Sequence, residues 1–333
     1  MQPTPGPTSA ARAATASATG LPTLSLVVPV FNEAANLPRF FERATAALDA
    51  LALPWEIVCV DDGSRDASLI TLLTARERDA RIVVVELSRN FGKEIALTAG
   101  LDHARGAAVI PIDADLQHPP ELIGALVAQW RAGFDMVVAV RRNLRQEGLA
   151  RRVASNLFDR VFRRVSKLEL PPGAGDFRLL SAPVVAALRQ LPERSRFMKG
   201  LYAWVGFRHA TVPYDVEPRA DGRSGHSLAK LWRLAVDGIT AFSAVPLKFW
   251  SGLGLVIAVI AMGYGAYLVV RTLVHGIALP GYASTITLIL FLGGLQLLSL
   301  GVLGEYIARI FEEVKARPMY VVRARHGCAA PDA

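Results

Sequence analysis

Short, almost continuously apolar runs punctuate the first half of the chain at Leu24–Val30, Ile57–Val60, Ile82–Leu87, Ala107–Ile112 and Met136–Val140. Each is rich in Val and Ile, the pattern of a strand buried on both faces of a sheet. Between them the period changes. Leu37, Phe40, Phe41, Ala44, Leu48 and Leu51 share one helical face, as do Leu69, Leu72 and Leu73, and Pro119-Pro120 opens a segment carrying Leu122, Leu126 and Trp130. Alternating strand and helix predict an α/β domain built on a mostly parallel sheet.

Farther along, the pattern changes character. Phe249–Val270 and Thr272–Gly304 contain no Asp, Glu, Lys or Arg, and a helix that crosses a bilayer needs about 20 mostly apolar residues. A transmembrane helical hairpin is predicted, with Arg271, His275 and the Pro280-Gly281 break in its turn. Basic residues flank its outer ends, Lys248 before it and Arg309, Lys315, Arg317, Arg323 and Arg325 after it. The positive-inside bias therefore puts both termini and the large N-terminal region in the cytoplasm.

Two basic amphipathic stretches, Glu147–Leu168 and Ser227–Phe242, read as helices lying at the membrane surface, although the first also suits a helix packed on the sheet. The expected organisation is a disordered tail over 1–22, the α/β domain over 23–226 and an interfacial helix over 227–246. The hairpin follows over 247–308, then a cytoplasmic tail over 309–333.

Composition adds limits. At 333 residues the chain has ample core for one large domain. Its net charge of +8 gathers beside the hairpin rather than among aromatic stacking platforms, which favours anionic lipid and excludes nucleic acid as the expected partner. Cys59 and Cys328 imply no disulfide framework, in keeping with a reducing compartment. The histidines show no paired metal spacing, so no zinc site is expected. The N-terminal stretch is rich in Pro, Thr, Ala and Ser without an apolar core, unlike a signal peptide.

Candidate chemistry lies at the ends of the apolar runs. Ala107–Ile112 leads into Asp113 and Asp115, hard oxygen ligands for a divalent ion bridging phosphates, although Asp-x-Asp is also common turn composition. The first run ends Pro29-Val-Phe-Asn32-Glu33 and the second Asp61-Asp62-Gly63-Ser64, carboxylates suited to a base's N–H groups or ribose hydroxyls. After the third run, Arg89 and Lys93 are placed near bound phosphates, with Gly92 opening a helix. Downstream lie Asp176 and Arg178 in a glycine-rich approach, then a cationic set around Pro192–Gly200 and Arg219–Ser224, suited to a lipid phosphate.

Taken together, PVFNE, VDDGSRDAS, LSRNFGKEIALTAGLDHA, IDADLQHPPE, GDFRLL and RFMKGLYAWVGF resemble the polyprenyl-phosphate glycosyltransferases of glycosyltransferase family 2, from about Leu24 to Val314. The resemblance implies a GT-A fold in which Asp113, Asp115 and Gln117 hold Mg²⁺ or Mn²⁺. It implies a nucleotide-sugar pocket of Pro29, Asn32, Glu33, Asp61, Asp62, Lys93, Asp113 and Ala114, with Asp176 and Asp115 at the reacting centre. Arg178, Arg196, Lys199, Arg219 and Ser224 become the acceptor-phosphate set.

The implied reaction transfers a hexose, glucose first, from a UDP-sugar to undecaprenyl or another polyprenyl phosphate. It inverts the anomeric centre and runs on the cytosolic face of the bacterial inner membrane. Mannose or an aminosugar from another nucleotide sugar is the alternative, as is a non-catalytic, membrane-anchored nucleotide-sugar-binding protein. A homotetramer through the membrane helices is the expected assembly, with Gly293-Gly294 and Gly301–Gly304 permitting close packing. One departure stands out: Gly225 occupies the place where relatives carry lysine after Ser224. Aspartyl-nucleophile phosphatases and processive polysaccharide synthases fit less well, because Gln117 is not the residue the former favour and the QxxRW segment of the latter is missing.

Overall fold

In the computed structural model, residues 22–142, 174–194, 196, 198–215, 245–275 and 281–327 are described. The chain forms two compact units, one comprising residues up to Trp232 together with Arg317 onward, the other Arg233–Ala316. The expected surface helices at 147–168 and 227–242 lie outside the described residues.

The first unit is an eight-stranded sheet in the order β7-β5-β6-β4-β1-β2-β3-β8. Strands β1 (Leu24–Val30), β2 (Trp55–Asp61), β3 (Ile82–Leu87) and β4 (Ala108–Pro111) pair in parallel. They follow the apolar runs because a strand covered on both faces has no polar side to alternate with. Helices α1 (Leu37–Asp49), α2 (Ser68–Arg78) and α3 (Lys93–His103) connect them. Helix α3 lies so close to β1 that a Cβ on Gly100 would come within 2.2 Å of Val27 Cγ1.

After β4, a 3-10 turn at Pro120–Leu122 leads into α4 (Ile123–Arg131), as the paired prolines predict, and α4 leads to β5 (Met136–Arg141). The sheet is more mixed than expected. Strand β6 (Ala174–Ser181) inserts antiparallel between β4 and β5, and β7 (His209–Tyr214) pairs in parallel with β5. Helices α5 (Ala182–Arg189) and α6 (Met198–Trp204) lie between them in sequence.

The expected cytoplasmic tail needs correction over part of its length. Val322–His326 forms β8, an antiparallel edge strand on β3. Tyr320 Oη donates to Asp102 Oδ2 at 2.8 Å, the Ser88 N–H to the Val321 carbonyl at 2.9 Å, and Arg194 Nε to the Arg317 carbonyl at 2.8 Å. Val-Arg-Ala-Arg-His alternates small or apolar with charged residues, as a half-exposed edge strand does.

Away from the strand tips, a buried polar network holds the sheet's other end. Glu56 accepts from Ser25 Oγ at 2.6 Å, from the Arg105 backbone N–H at 2.8 Å and from Arg105 Nη2 at 2.6 Å. Ser25 Oγ in turn accepts from the Gly106 N–H at 2.8 Å. Glu56→Ala strands those donors, while the Arg105 side chain, 39% exposed, regains water. The expected loss is about 2 kcal/mol of stability with transfer rates per folded molecule unchanged, read by thermal melting beside an activity assay.

The second unit holds α7 (Val245–His275) and α8 (Tyr282–Val314), which touch one another. Arg271, expected in the turn, lies inside α7, because no helix breaker precedes Gly276. Helix α8 continues past the expected boundary at 308, with Arg309 Nη2 and Glu305 Oε1 paired at 3.1 Å one turn apart. Among the described residues, Phe291–Val314 is long and apolar enough to cross a membrane, with mean hydropathy 1.4.

Candidate functional site

The carboxyl ends of the parallel strands are where open α/β sheets take their ligands. Strands β1 and β2 are registered so that Val30 lies opposite Asp61, and the chain turns sharply after each. Asn32 has φ 55°, a left-handed conformation that Asn tolerates better than most residues. Its N–H donates to Ser64 Oγ at 3.1 Å and its Oδ1 accepts from the Arg65 N–H at 2.8 Å. The Glu33 N–H donates to Ser68 Oγ at 2.8 Å, and Asn36 Nδ2 donates to Glu33 Oε2 at 2.6 Å. The two loops are thereby laced together beyond Pro29.

Asp61 and Asp62 have separate duties. Asp62 accepts from the backbone N–H groups of Phe91 and Gly92 at 2.7 and 2.9 Å, so both of its oxygens shape the loop before α3. Burial raises its carboxyl above the ordinary range, and those two bonds pull it back. Between the strand and that loop there is no room for a side chain. A Cβ on Gly63, at φ 68°, would lie 2.7 Å from the Arg89 carbonyl carbon. Asp61 Oδ2 accepts from the Ser64 N–H at 3.2 Å, while its Oδ1 is buried with no hydrogen-bond partner among the described residues, leaving it to accept from a ligand.

The centre of the site is Lys93, the first residue of α3. Its Nζ lies 2.7 Å from Asp113 Oδ1 and 3.3 Å from Asp176 Oδ2, so one ammonium joins the tip of β4 to the start of β6. Desolvation would lower the Lys93 pKa, but Asp113 and Asp176 outweigh it and hold it above the ordinary lysine value. For Asp176 burial would raise the pKa, yet the charges of Lys93, Lys199 and Arg178 hold it below the usual carboxylate range.

Asp113 comes two residues after the end of β4, and the intervening Ile112 N–H still bonds the Val27 carbonyl at 2.9 Å. The turn then passes through buried Ala114 and through Leu116 at φ 59°, and the Gln117 N–H donates to Asp115 Oδ1 at 3.1 Å. Asp113, Asp115 and Gln117 offer two carboxylates and an amide oxygen, hard donors that suit Mg²⁺ or Mn²⁺. Among the described residues no group of three His, Cys, Asp or Glu side chains gathers to enclose an ion.

The cationic set divides. Arg178 is 4% exposed, its guanidinium 3.9 Å from the Tyr202 ring centroid and bonded to the Gly175 carbonyl, so it braces β6 from inside. Arg196 Nη2 donates to the Leu191 carbonyl at 2.8 Å, and its Nε lies 3.3 Å from Met319 Sδ. Lys199, on α6, is close enough to act on Asp176. Arg219, Ser224 and Gly225 lie outside the described residues.

Two residues of this site were not singled out by the sequence. Glu94 follows Lys93 and reads as an ordinary acid in a helix's first turn. Burial and then Asp176 push it up to about 7, although it accepts from the Met198 N–H. A carboxyl raised in the folded state stabilises most at low pH, and that contribution fades between its unfolded value and about 7. Glu94→Gln is therefore expected to shrink the drop in melting temperature between pH 5 and pH 7, measured on the full chain in detergent. The second residue is His118, buried between Phe177 and Tyr214 at centroid distances of 5.2 and 5.8 Å. Burial lowers its pKa.

The strand-end acids and the bridging lysine sit on a mixed α/β sheet of the GT-A type. The chain belongs to glycosyltransferase family 2: residues 25–188 match glycosyl transferase family 2 and residues 245–310 match the GtrB C-terminal hairpin. It is 50% identical to an uncharacterized glycosyltransferase of Synechocystis over 90% of this chain and 94% of that protein. It is 45% identical to the SfII prophage-derived bactoprenol glucosyl transferase of Shigella flexneri over 91% and 98%. Among solved structures, glucosyl-3-phosphoglycerate synthase of Mycobacterium tuberculosis covers 72% of this chain and 84% of its own, at 19% identity and a TM-score of 0.47. The chain is thus a glycosyltransferase, and its hairpin and apolar helix suggest membrane association.

Proposed function

We propose that this enzyme transfers glucose from UDP-glucose to a polyprenyl phosphate at the cytoplasmic face of the bacterial inner membrane. The observation that carries the reading is the Lys93 bridge, which gathers the acid pair's Asp113 and the separate Asp176 around one cation. The acceptor assignment is supported by relatives named bactoprenol glucosyl transferase, matched over nearly their full length.

Asp61 accepts from the base or ribose, and Asn32 and Glu33 hold the loop around it. Asp113, Asp115 and Gln117 would hold Mg²⁺ or Mn²⁺, which would supply positive charge to the leaving diphosphate. Lys93 turns from its two carboxylates toward the same diphosphate. A phosphate monoester is already anionic near neutral pH, so its oxygen attacks the anomeric carbon without a strong general base. Asp176, kept ionised by its cations, orients the sugar or acceptor. Lys199, with Arg196, Arg219 and Ser224, receives the acceptor phosphate, and Arg178 supports that set from within the fold.

Backside attack on an α-linked donor produces a β-linked lipid, so the anomeric configuration of the product tests the mechanism. Nuclear magnetic resonance of the lipid-linked sugar should show the β anomer; an α product would rule out single displacement. The hairpin's basic flanks support cytoplasmic termini, and a homotetramer through its helices completes the proposal.

A further inference from the structure

Buried polar atoms normally have partners, and a histidine ring buried without any calls for a reason. His118 is 5% exposed, and among the described residues neither Nδ1 nor Nε2 has a hydrogen-bond partner. The ring is fixed rather than loose. Phe177 meets it nearly edge-on at 84°, Tyr214 packs at 34°, and Gly175 lies beside its Nε2, where an added Cβ would come to 3.7 Å. The same side chain lines a pocket with Pro29, Lys93, Asp113 and Asp176. The ring therefore borders the space between Asp113 and Asp176.

The kind of partner follows from the ring's inventory. A neutral imidazole has one N–H donor and one lone-pair acceptor. Phosphate oxygens use only donors and a metal ion uses only acceptors, whereas a hydroxyl uses both. We infer that His118 hydrogen-bonds a hydroxyl of the donor's hexose and so helps select the sugar. The inference rests on the UDP-glucose reading, and it explains why an imidazole stands where a phenyl ring would pack equally well against Phe177 and Tyr214.

The test is calorimetric binding of UDP and of UDP-glucose to the full chain in detergent, with Mn²⁺ and without acceptor lipid. His118→Phe keeps the stack and removes both nitrogens. It should weaken UDP-glucose about tenfold while UDP stays within about twofold. His118→Gln, which restores a donor and an acceptor, should recover part of the loss and change the preference for UDP-glucose over UDP-galactose. An unchanged UDP-glucose to UDP ratio in His118→Phe, or an equal loss for both ligands, overturns the inference. Should His118→Phe fail to fold, an unaltered sugar preference in His118→Gln overturns it instead. Binding of UDP-glucose without transfer in the wild type would defeat the proposed reaction while leaving this test readable.

Discussion

Asp115→Ala is expected to reduce kcat/KM for transfer by roughly a thousandfold, the rate equivalent of about 4 kcal/mol. The effect is this large because, on the proposed reading, the diphosphate would leave with charge neutralised through one ion, and Asp115 would be one of the two carboxylates that hold it. Asp113 alone would leave the ion with a single carboxylate ligand from this turn. The fold should survive, because Asp115 sits in the turn after β4, outside the strands and helices, where its Oδ1 accepts from the Gln117 N–H. Initial rates across a Mn²⁺ titration, with melting temperature as a control, check the claim. A variant that transfers at the wild-type rate would remove Asp115 from the ligand set.

Lys93→Ala comes next, with an expected loss of about a hundredfold, the usual effect of removing one donor that stabilises developing negative charge. Here the variant has a second signature. Lys93 is the first of the charges that hold Asp176 below the usual carboxylate range. Without it the Asp176 pKa rises, so the acid limb of the pH–rate profile moves to higher pH. Lys93→Arg keeps the charge and should move that limb less, though a planar guanidinium cannot reach both acids as an ammonium does. A Lys93→Ala profile that falls in height without moving would separate Lys93 from Asp176 in function.

How far these residues were legible depended on what each signal competed with. Strands β1 and β3 were read to the residue, because a strand covered on both faces leaves an unbroken apolar run. Strand β6 was missed because it begins Ala-Gly-Asp-Phe-Arg, where site chemistry replaces apolar pattern. Strand β7 alternates at an exposed edge, and β8 reads as a basic tail until its pairing with β3 is seen.

The site shows the same division. Lys93 was legible as a cation near phosphates, but its bridge to Asp176 joins residues far apart in sequence. Asp62 looked equivalent to Asp61, yet only the fold reveals that its oxygens are taken by Phe91 and Gly92. Arg178 looked like a phosphate ligand because charge alone does not say which way a strand residue faces. Glu94 and His118 are single polar residues in ordinary contexts, and their burial beside Asp176 and Phe177 is what distinguishes them.

The most direct measurement is to incubate membranes containing this chain with labelled UDP-glucose and polyprenyl phosphate, with and without EDTA. The account predicts a labelled lipid-linked glucose that disappears with EDTA, returns when Mn²⁺ or Mg²⁺ is restored, and is not formed by Asp115→Ala. Transfer that ignores EDTA, or no lipid-linked sugar under any metal condition, would contradict it.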